Sequence, residues 1–141
     1  MKVGVYAGSF NPFHKGHYNI FQKAEKIFDE VIIARGFNSE KNNEIVPLPK
    51  ILEGVCCMEY IGLLTNFIER LPYENITIIR GLRNSIDLQH ELNQYRYFQD
   101  LMPEIQVVSL FCDKEFEHIS SSGIRALSSF GSDTVKKYLL S

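Results

Sequence analysis

Tryptophan is absent from the 141 residues, cysteine occurs three times, proline five times, and the formal net charge is only -2. Cys56 and Cys57 are adjacent and Cys112 stands alone, an odd set that does not make the disulfide framework of a small secreted domain. Reduced thiols in a cytoplasmic protein are the expectation. No C-x-x-C or second ligand pair lies near them, so no metal site is expected there either. No apolar run approaches the roughly 20 residues that cross a bilayer, and the opening segment, residues 1–6, is too short and too quickly interrupted for a signal peptide; no membrane partner is expected. With 15 basic against 17 acidic side chains, no nucleic-acid partner held along its backbone is expected, and any polyanion site must be local.

What is present is the material of a core. The chain is 45% hydrophobic and 12% aromatic, which excludes disorder. Its length fits a single domain, residues 1–141, able to bury about two thirds of its unfolded surface without covalent staples. Residues 2–6 read as a strand that stops at Ala7-Gly8-Ser9, and Asn11-Pro12 prevents its continuation. Over residues 16–28, Ile20, Phe21, Ala24, Ile27 and Phe28 recur at helical spacing, while Lys23, Glu25 and Lys26 face away. Residues 31–34 are wholly apolar, as a strand covered on both faces should be. A strand, a helix and a strand in that order make a βαβ unit with a right-handed crossover.

The alternation returns with strands expected at 76–79 and 106–111, a long helix at 85–102, and short helices at 123–130 and 134–140. Residues 55–60 read as a strand and 63–71 as a helix. Between them and the βαβ unit, residues 38–54 hold Pro47 and Pro49, which break any helix. The fold class is α/β: a Rossmann-like open parallel sheet with helices on both faces, whose ligands bind beyond the carboxyl ends of the strands.

The segment from Ala7 to His17, A-G-S-F-N-P-F-H-K-G-H, lies between the first strand and first helix, where such folds bind phosphates. Gly8 allows close backbone approach, Ser9 offers a hydroxyl and an amide, and the helix start presents free N–H groups. His14 and His17, three apart, can project from one side of that turn and donate to charge developing on phosphorus. As zinc ligands they are poorly spaced and lack a third partner. The absence of G-x-x-x-x-G-K-[ST] disfavours a P-loop hydrolase. Arg80 and Arg83 flank Gly81-Leu82 after a strand, suited to phosphate oxygens, or else to neutralisation by Asp87 or Glu91. Ser120, Ser121 and Ser122 precede a helix and can cap it or cradle a polyphosphate.

Taken together, G-S-F-N-P-x-H-x-G-H after a strand resembles the nucleotidyltransferase superfamily marked by (H/T)-x-G-H. Arg80-Gly81-Leu82-Arg83, followed by Asp87 and Glu91, is similar to the R-G-L-R motif of bacterial phosphopantetheine adenylyltransferases, and Ile119-Ser120-Ser121-Ser122 with Arg125 is similar to that family's I-S-S-[ST]-x-x-R motif. The resemblance implies transfer of AMP from ATP to 4'-phosphopantetheine, giving dephospho-coenzyme A and pyrophosphate, by direct in-line attack and with Mg2+ on the triphosphate. It implies catalytic roles for His17, Lys41 and Arg80, and acceptor contacts from Ser9, Lys41, Leu64 and Arg80. ATP contacts are implied for Ser9, Phe10, His14, His17, Gly81, Leu82, Arg83, Glu91, Phe116, Glu117, His118, Ile119 and Ser120 to Ser122. A homo-oligomer follows from the same resemblance, hexamers being common in the family. Asn11 and His14 are forms seen more in nicotinate mononucleotide adenylyltransferases, which makes that acceptor the second reading. The chain between Lys41 and Leu63 is shorter than the family usually has, with the crossover helix there largely missing. A non-catalytic nucleotide sensor and a cytidylyltransferase are the remaining alternatives, the latter separable by testing CTP against ATP.

Overall fold

The computed structural model describes residues 1–38 and 43–141. Its frame is one sheet of five parallel strands in the order β3-β2-β1-β4-β5. The strands are β1 (Val3–Gly8), β2 (Glu30–Phe37), β3 (Cys57–Ile61), β4 (Ile76–Leu82) and β5 (Gln106–Phe111). Among the described residues four α-helices connect or close them: α1 (Lys15–Glu25), α2 (Leu64–Glu69), α3 (Ser85–Leu101) and α4 (Ser121–Ser128). Short 3-10 turns occupy Lys50–Leu52, Lys114–Phe116 and Ser132–Tyr138.

Successive side chains of a strand point to opposite faces, and both faces of this sheet are covered. Val3, Val5 and Ala7 of β1 pack with Ile32, Ala34 and Ile78 against Leu64 and Ile68 of α2. Tyr6, on the opposite face, packs with Ile33 and Ile79 against Ile20, Phe21 and Ala24 of α1. This double burial explains why β1 and β2 read as continuous apolar runs. At Gly4 an added Cβ would lie 2.5 Å from Ile79 Cδ1 and 2.9 Å from the Phe28 ring, so the absence of a side chain there lets the α1 end seat on the sheet.

Two differences from the sequence expectations have physical causes. The strand expected at 76–79 runs on through Leu82, because Arg80, Gly81 and Leu82 pair with Ser109, Leu110 and Phe111 of β5. Arg80 is therefore fixed on a strand rather than on the loop after it. The last helical element is a 3-10 turn, Ser132–Tyr138, entered through Gly131 at φ 124. The shortened connection does lack a helix: between Asn43 and β3, the described residues form only the Lys50–Leu52 turn. β3 is nevertheless parallel to β2 along Ile33 to Phe37. Among the described residues no helix is long and apolar enough to cross a membrane.

Ile79 and Ile33 are fully buried. In urea denaturation Ile79→Ala should cost about 2–5 kcal/mol and Ile33→Val about 0.5–1.5 kcal/mol; equal, near-zero losses would contradict this core.

Candidate active site

β1 and β4 are neighbours at the centre of the sheet, but the chain leaves β1 toward β2 and leaves β4 toward β5. This divergence opens a crevice at their carboxyl ends. A cavity of about 260 Å³ lies there, walled by the β1 end, the start of α1, the β4 end, and residues 116 and 119–121. A wider cavity of about 750 Å³ adjoins it on the β2 and β3 side. Gly8, Ser9 and Arg80 line both.

The start of α1 carries both histidines, and they hold each other. His14 is the N-cap residue, with its Nδ1 accepting from the Gly16 amide at 3.0 Å and the His17 amide at 3.4 Å. His17 Nδ1 in turn accepts from the His14 amide at 3.1 Å. This reciprocal arrangement is a capping box built from two imidazoles. The rings stack at 3.7 Å between centroids, and a Cβ on Gly16 would stand 2.9 Å from the His14 ring, so glycine is required between them. Burial, and then the Arg83 charge, lower the His14 pKa to about 4. Burial, followed by His14, Arg83 and Arg80, holds His17 well below its ordinary value. Both rings are therefore neutral near pH 7. With each Nδ1 lone pair occupied, each ring carries its proton on Nε2 and can donate it to an anion without first being protonated.

The arginines are held just as firmly. Arg80 forks onto Glu91, Nε to Oε2 at 2.7 Å and Nη2 to Oε1 at 2.9 Å, while Nη1 donates to the Ala7 carbonyl at 2.9 Å. Arg83 forks onto Asp87 at 2.9 and 3.1 Å and reaches the Ile119 carbonyl at 3.3 Å. Burial raises the Asp87 pKa, but hydrogen bonds from the Arg83 side chain and backbone, and its charge, outweigh this and hold the carboxyl below its ordinary value. Both of the partners foreseen for the arginines are thus engaged, and all four side chains still line the smaller cavity. The pairing orients the guanidinium groups before any ligand arrives.

Thirteen expected site residues line this cavity: Ser9, Phe10, His14, His17, Arg80, Gly81, Leu82, Arg83, Glu91, Phe116, Ile119, Ser120 and Ser121. Ser120 caps α4, its Oγ accepting from the Gly123 amide at 3.0 Å, and Ser121 Oγ donates to the Pro12 carbonyl at 2.9 Å. Ser122, Glu117 and His118 do not line it; Ser122 Oγ lies 3.4 Å from Ser120 Oγ, and the His118 ring meets Tyr138 edge-on at 5.9 Å. Leu64 is 7% exposed and packs in the core beneath β1, lining neither main cavity. Lys41 lies outside the described residues. Sequence reasoning did not place Tyr6, Asp87 and Cys112 in the smaller cavity, nor Tyr60, His90, Gln94 and Arg125 in the larger one. Arg125 had a signal, standing one helical turn after the serines; Tyr6 had none, because a strand tyrosine reads as core.

Residues 5–127 match the cytidylyltransferase-like family. A phosphopantetheine adenylyltransferase of Mycoplasma capricolum is 34% identical over 136 residues, covering 90% of this chain and 96% of that protein. One from Syntrophomonas wolfei is 34% identical over 142 residues, covering 94% and 87%. The chain belongs to the phosphopantetheine adenylyltransferase family. Among solved structures, a protein assigned as a nicotinate-nucleotide adenylyltransferase from Vibrio parahaemolyticus superposes with a TM-score of 0.64 at 18% identity, over all of this chain and 88% of that one. A bifunctional NMN adenylyltransferase/ADP ribose pyrophosphatase from Francisella tularensis gives 0.57 at 19% identity, over 92% of this chain and 42% of that one. At these identities the structures show the Rossmann-like fold alone. In this phosphopantetheine adenylyltransferase family member, the first histidine of H-x-G-H caps α1.

The cap has a pH signature. An unfolded histidine titrates near 6.5, whereas folded His14 titrates near 4. Between these values the unfolded chain binds more protons, so stability is fully present above about pH 6.5 and declines as pH falls toward 4. The contribution at stake is on the order of 3 kcal/mol. Urea melts at pH 7, 6 and 5 should show this decline, and His14→Asn, which keeps a capping oxygen, should make it shallower while leaving the share due to buried His17; an unchanged slope would refute the buried neutral His14 ring.

Proposed function

We propose that one domain spanning residues 1–141 transfers AMP from ATP to 4'-phosphopantetheine, releasing pyrophosphate and forming dephospho-coenzyme A. Family membership supports this reading. The observation that carries it is the meeting of two cavities at Ser9 and Arg80, beside His17. ATP occupies the smaller cavity, with its triphosphate over the start of α1 and near Arg83, Ser120 and Ser121. The acceptor occupies the larger one and presents its phosphate toward Arg80.

An oxygen of the acceptor phosphate attacks the α-phosphorus, a new P–O bond forms, and the bond to the bridging oxygen of the leaving pyrophosphate breaks. The acceptor phosphate is ionised near neutral pH, so no side chain need remove a proton. The chain's work is alignment and stabilisation of charge. His17 Nε2–H donates to the α-phosphate as charge builds there, and Arg80, held by Glu91 and the Ala7 carbonyl, faces the acceptor phosphate. Lys41 is assigned to the same charge by family resemblance. Magnesium is proposed to arrive on the triphosphate. Among the described residues no cluster of three His, Cys, Asp or Glu side chains forms a metal site, and Asp87 and Glu91 are both occupied by arginines; no step of the transfer is assigned to the metal.

We further propose a homo-oligomer. None of the 17 residues of α3 is buried in the single chain, and Ile86, Leu88, Leu92, Tyr97 and Leu101 are exposed along it. Such apolar area on a helix is a docking face. The free Cys56, Cys57 and Cys112 support residence in the reducing cytoplasm.

An acceptor screen with ATP, read by pyrophosphate, should show turnover with 4'-phosphopantetheine. Turnover only with nicotinate mononucleotide, or with CTP in place of ATP, would transfer the assignment to those substrates; ATP binding without turnover of any acceptor would favour a sensor. His17→Ala should lower kcat by ~10²–10³ while leaving the KM for ATP near wild type; equal losses in both would remove His17 from the transition state. Light scattering should give a mass several times the 16.3 kDa chain, reduced by Leu92→Asp.

A further inference from the structure

Arg35, in the middle of β2, is 3% exposed. Among the described residues it makes no ion pair to a carboxylate within salt-bridge distance. An isolated guanidinium is costly to bury. Burial draws its pKa down from the ordinary value, while the Glu59 charge opposes that. The fork is spent on one short piece of chain. Nε donates to the Ser9 carbonyl at 3.0 Å, and Nη2 donates to the Phe10 carbonyl at 3.0 Å and to Asn11 Oδ1 at 3.4 Å. The Phe37 ring lies 5.7 Å from its Cζ.

These three residues form the loop that leaves β1 and walls the two cavities: Ser9 and Phe10 line the smaller, Ser9 and Asn11 the larger. In a trans peptide the carbonyl and the following N–H point in opposite directions. Drawing the Ser9 and Phe10 carbonyls back onto Arg35 therefore turns the Phe10 and Asn11 amides the other way. Phe10 sits at φ 47, in the left-handed region; such a residue brings consecutive amides toward one concavity that suits an anion. Neither amide donates to a protein acceptor among the described residues. Asn11 is also tied to the segment after β2, its Nδ2 donating to the Glu44 carbonyl at 2.8 Å and its Oδ1 accepting from the Val46 amide at 2.8 Å. A strand arginine thus braces, from behind, a loop whose other side opens on the site.

We propose that Arg35 is a positioning residue, which fixes the Ser9 and Phe10 carbonyls so that the Phe10 and Asn11 amides face the phosphates where the two cavities meet. The inference rests on the adenylyl-transfer reading for its substrate. The fork geometry is essential to it: Arg35 reaches the Ser9 and Phe10 carbonyls from two separate nitrogens of one rigid plane, whereas lysine keeps the charge but gathers its donors on a single nitrogen at the end of a flexible stem.

The test uses the full chain as wild type, Arg35→Lys and Arg35→Ala. Thermal melting establishes the folded fraction of each, and activity and ATP affinity are referred to that fraction. Folded Arg35→Lys should lose about 10²-fold in kcat, the cost of misplacing reacting groups by about an ångström, and should bind ATP about tenfold more weakly. Guanidinium ion, added below the concentration at which wild type begins to melt, should restore Arg35→Ala saturably and leave His17→Ala unimproved. Wild-type kcat and ATP affinity in folded Arg35→Lys would overturn the proposal. So would losses in Arg35→Ala that follow only its unfolded fraction and do not respond to guanidinium. If wild type itself turns over no 4'-phosphopantetheine, the substrate reading has failed; calorimetric ATP affinity of wild type against Arg35→Lys then decides the role of Arg35 alone, with unchanged affinity counting against it.

Discussion

The pairing of β1 on both edges governs where every functional group can stand. Val3 to Gly8 is matched against β2, and Val3 to Tyr6 against β4, with residues on both faces of the strand buried. A strand so enclosed cannot slip by one residue without exchanging its two faces. Its end at Gly8 is thereby set to within a residue, as are the departure of the following loop and the first turn of α1. β4 is registered against the same strand and delivers Arg80 beside Ala7, whose carbonyl it grips. The site is a consequence of ladder register before it is a matter of side-chain chemistry.

On that frame the polar groups are arranged in self-sufficient sets. Two histidines satisfy each other and the helix start, and two arginines each hold one carboxylate. The two ion pairs cancel in charge and both imidazoles are neutral, so what the crevice offers an anion is a set of oriented N–H donors rather than a net positive charge. Bidentate pairs restrict guanidinium rotation, so less ordering remains to be done when an anion enters. The arrangement favours a fixed electrostatic field over groups that move into place.

The sheet, its helices on both faces, and the order of elements were legible because apolar runs and helical periodicity report burial directly. The phosphate loop, the R-G-L-R segment and the serine turn were legible because each combines a backbone requirement with polar side chains. What escaped reading depends on partners distant in sequence. Arg80 belongs to β4 because β5 pairs with it. Leu64 lies beneath the sheet because a helix start can turn either way. Arg35 reads as an interruption in an apolar strand, and its acceptors lie on a loop about 25 residues earlier. His14 and His17 were recognisable as a pair, but their mutual capping needs the extended backbone at His14.

The capping box also limits the proton traffic of the site. Each imidazole has its Nδ1 committed to a backbone amide, and the aromatic rings of Phe10 and Phe13 lie against His17 at 4.9 and 5.3 Å. Tautomer exchange would require breaking the start of α1. An adenylyl transfer between two phosphates needs no net proton, and a site whose histidines cannot readily exchange tautomer would begin and end each turnover in one protonation state, ready in either direction of the reaction.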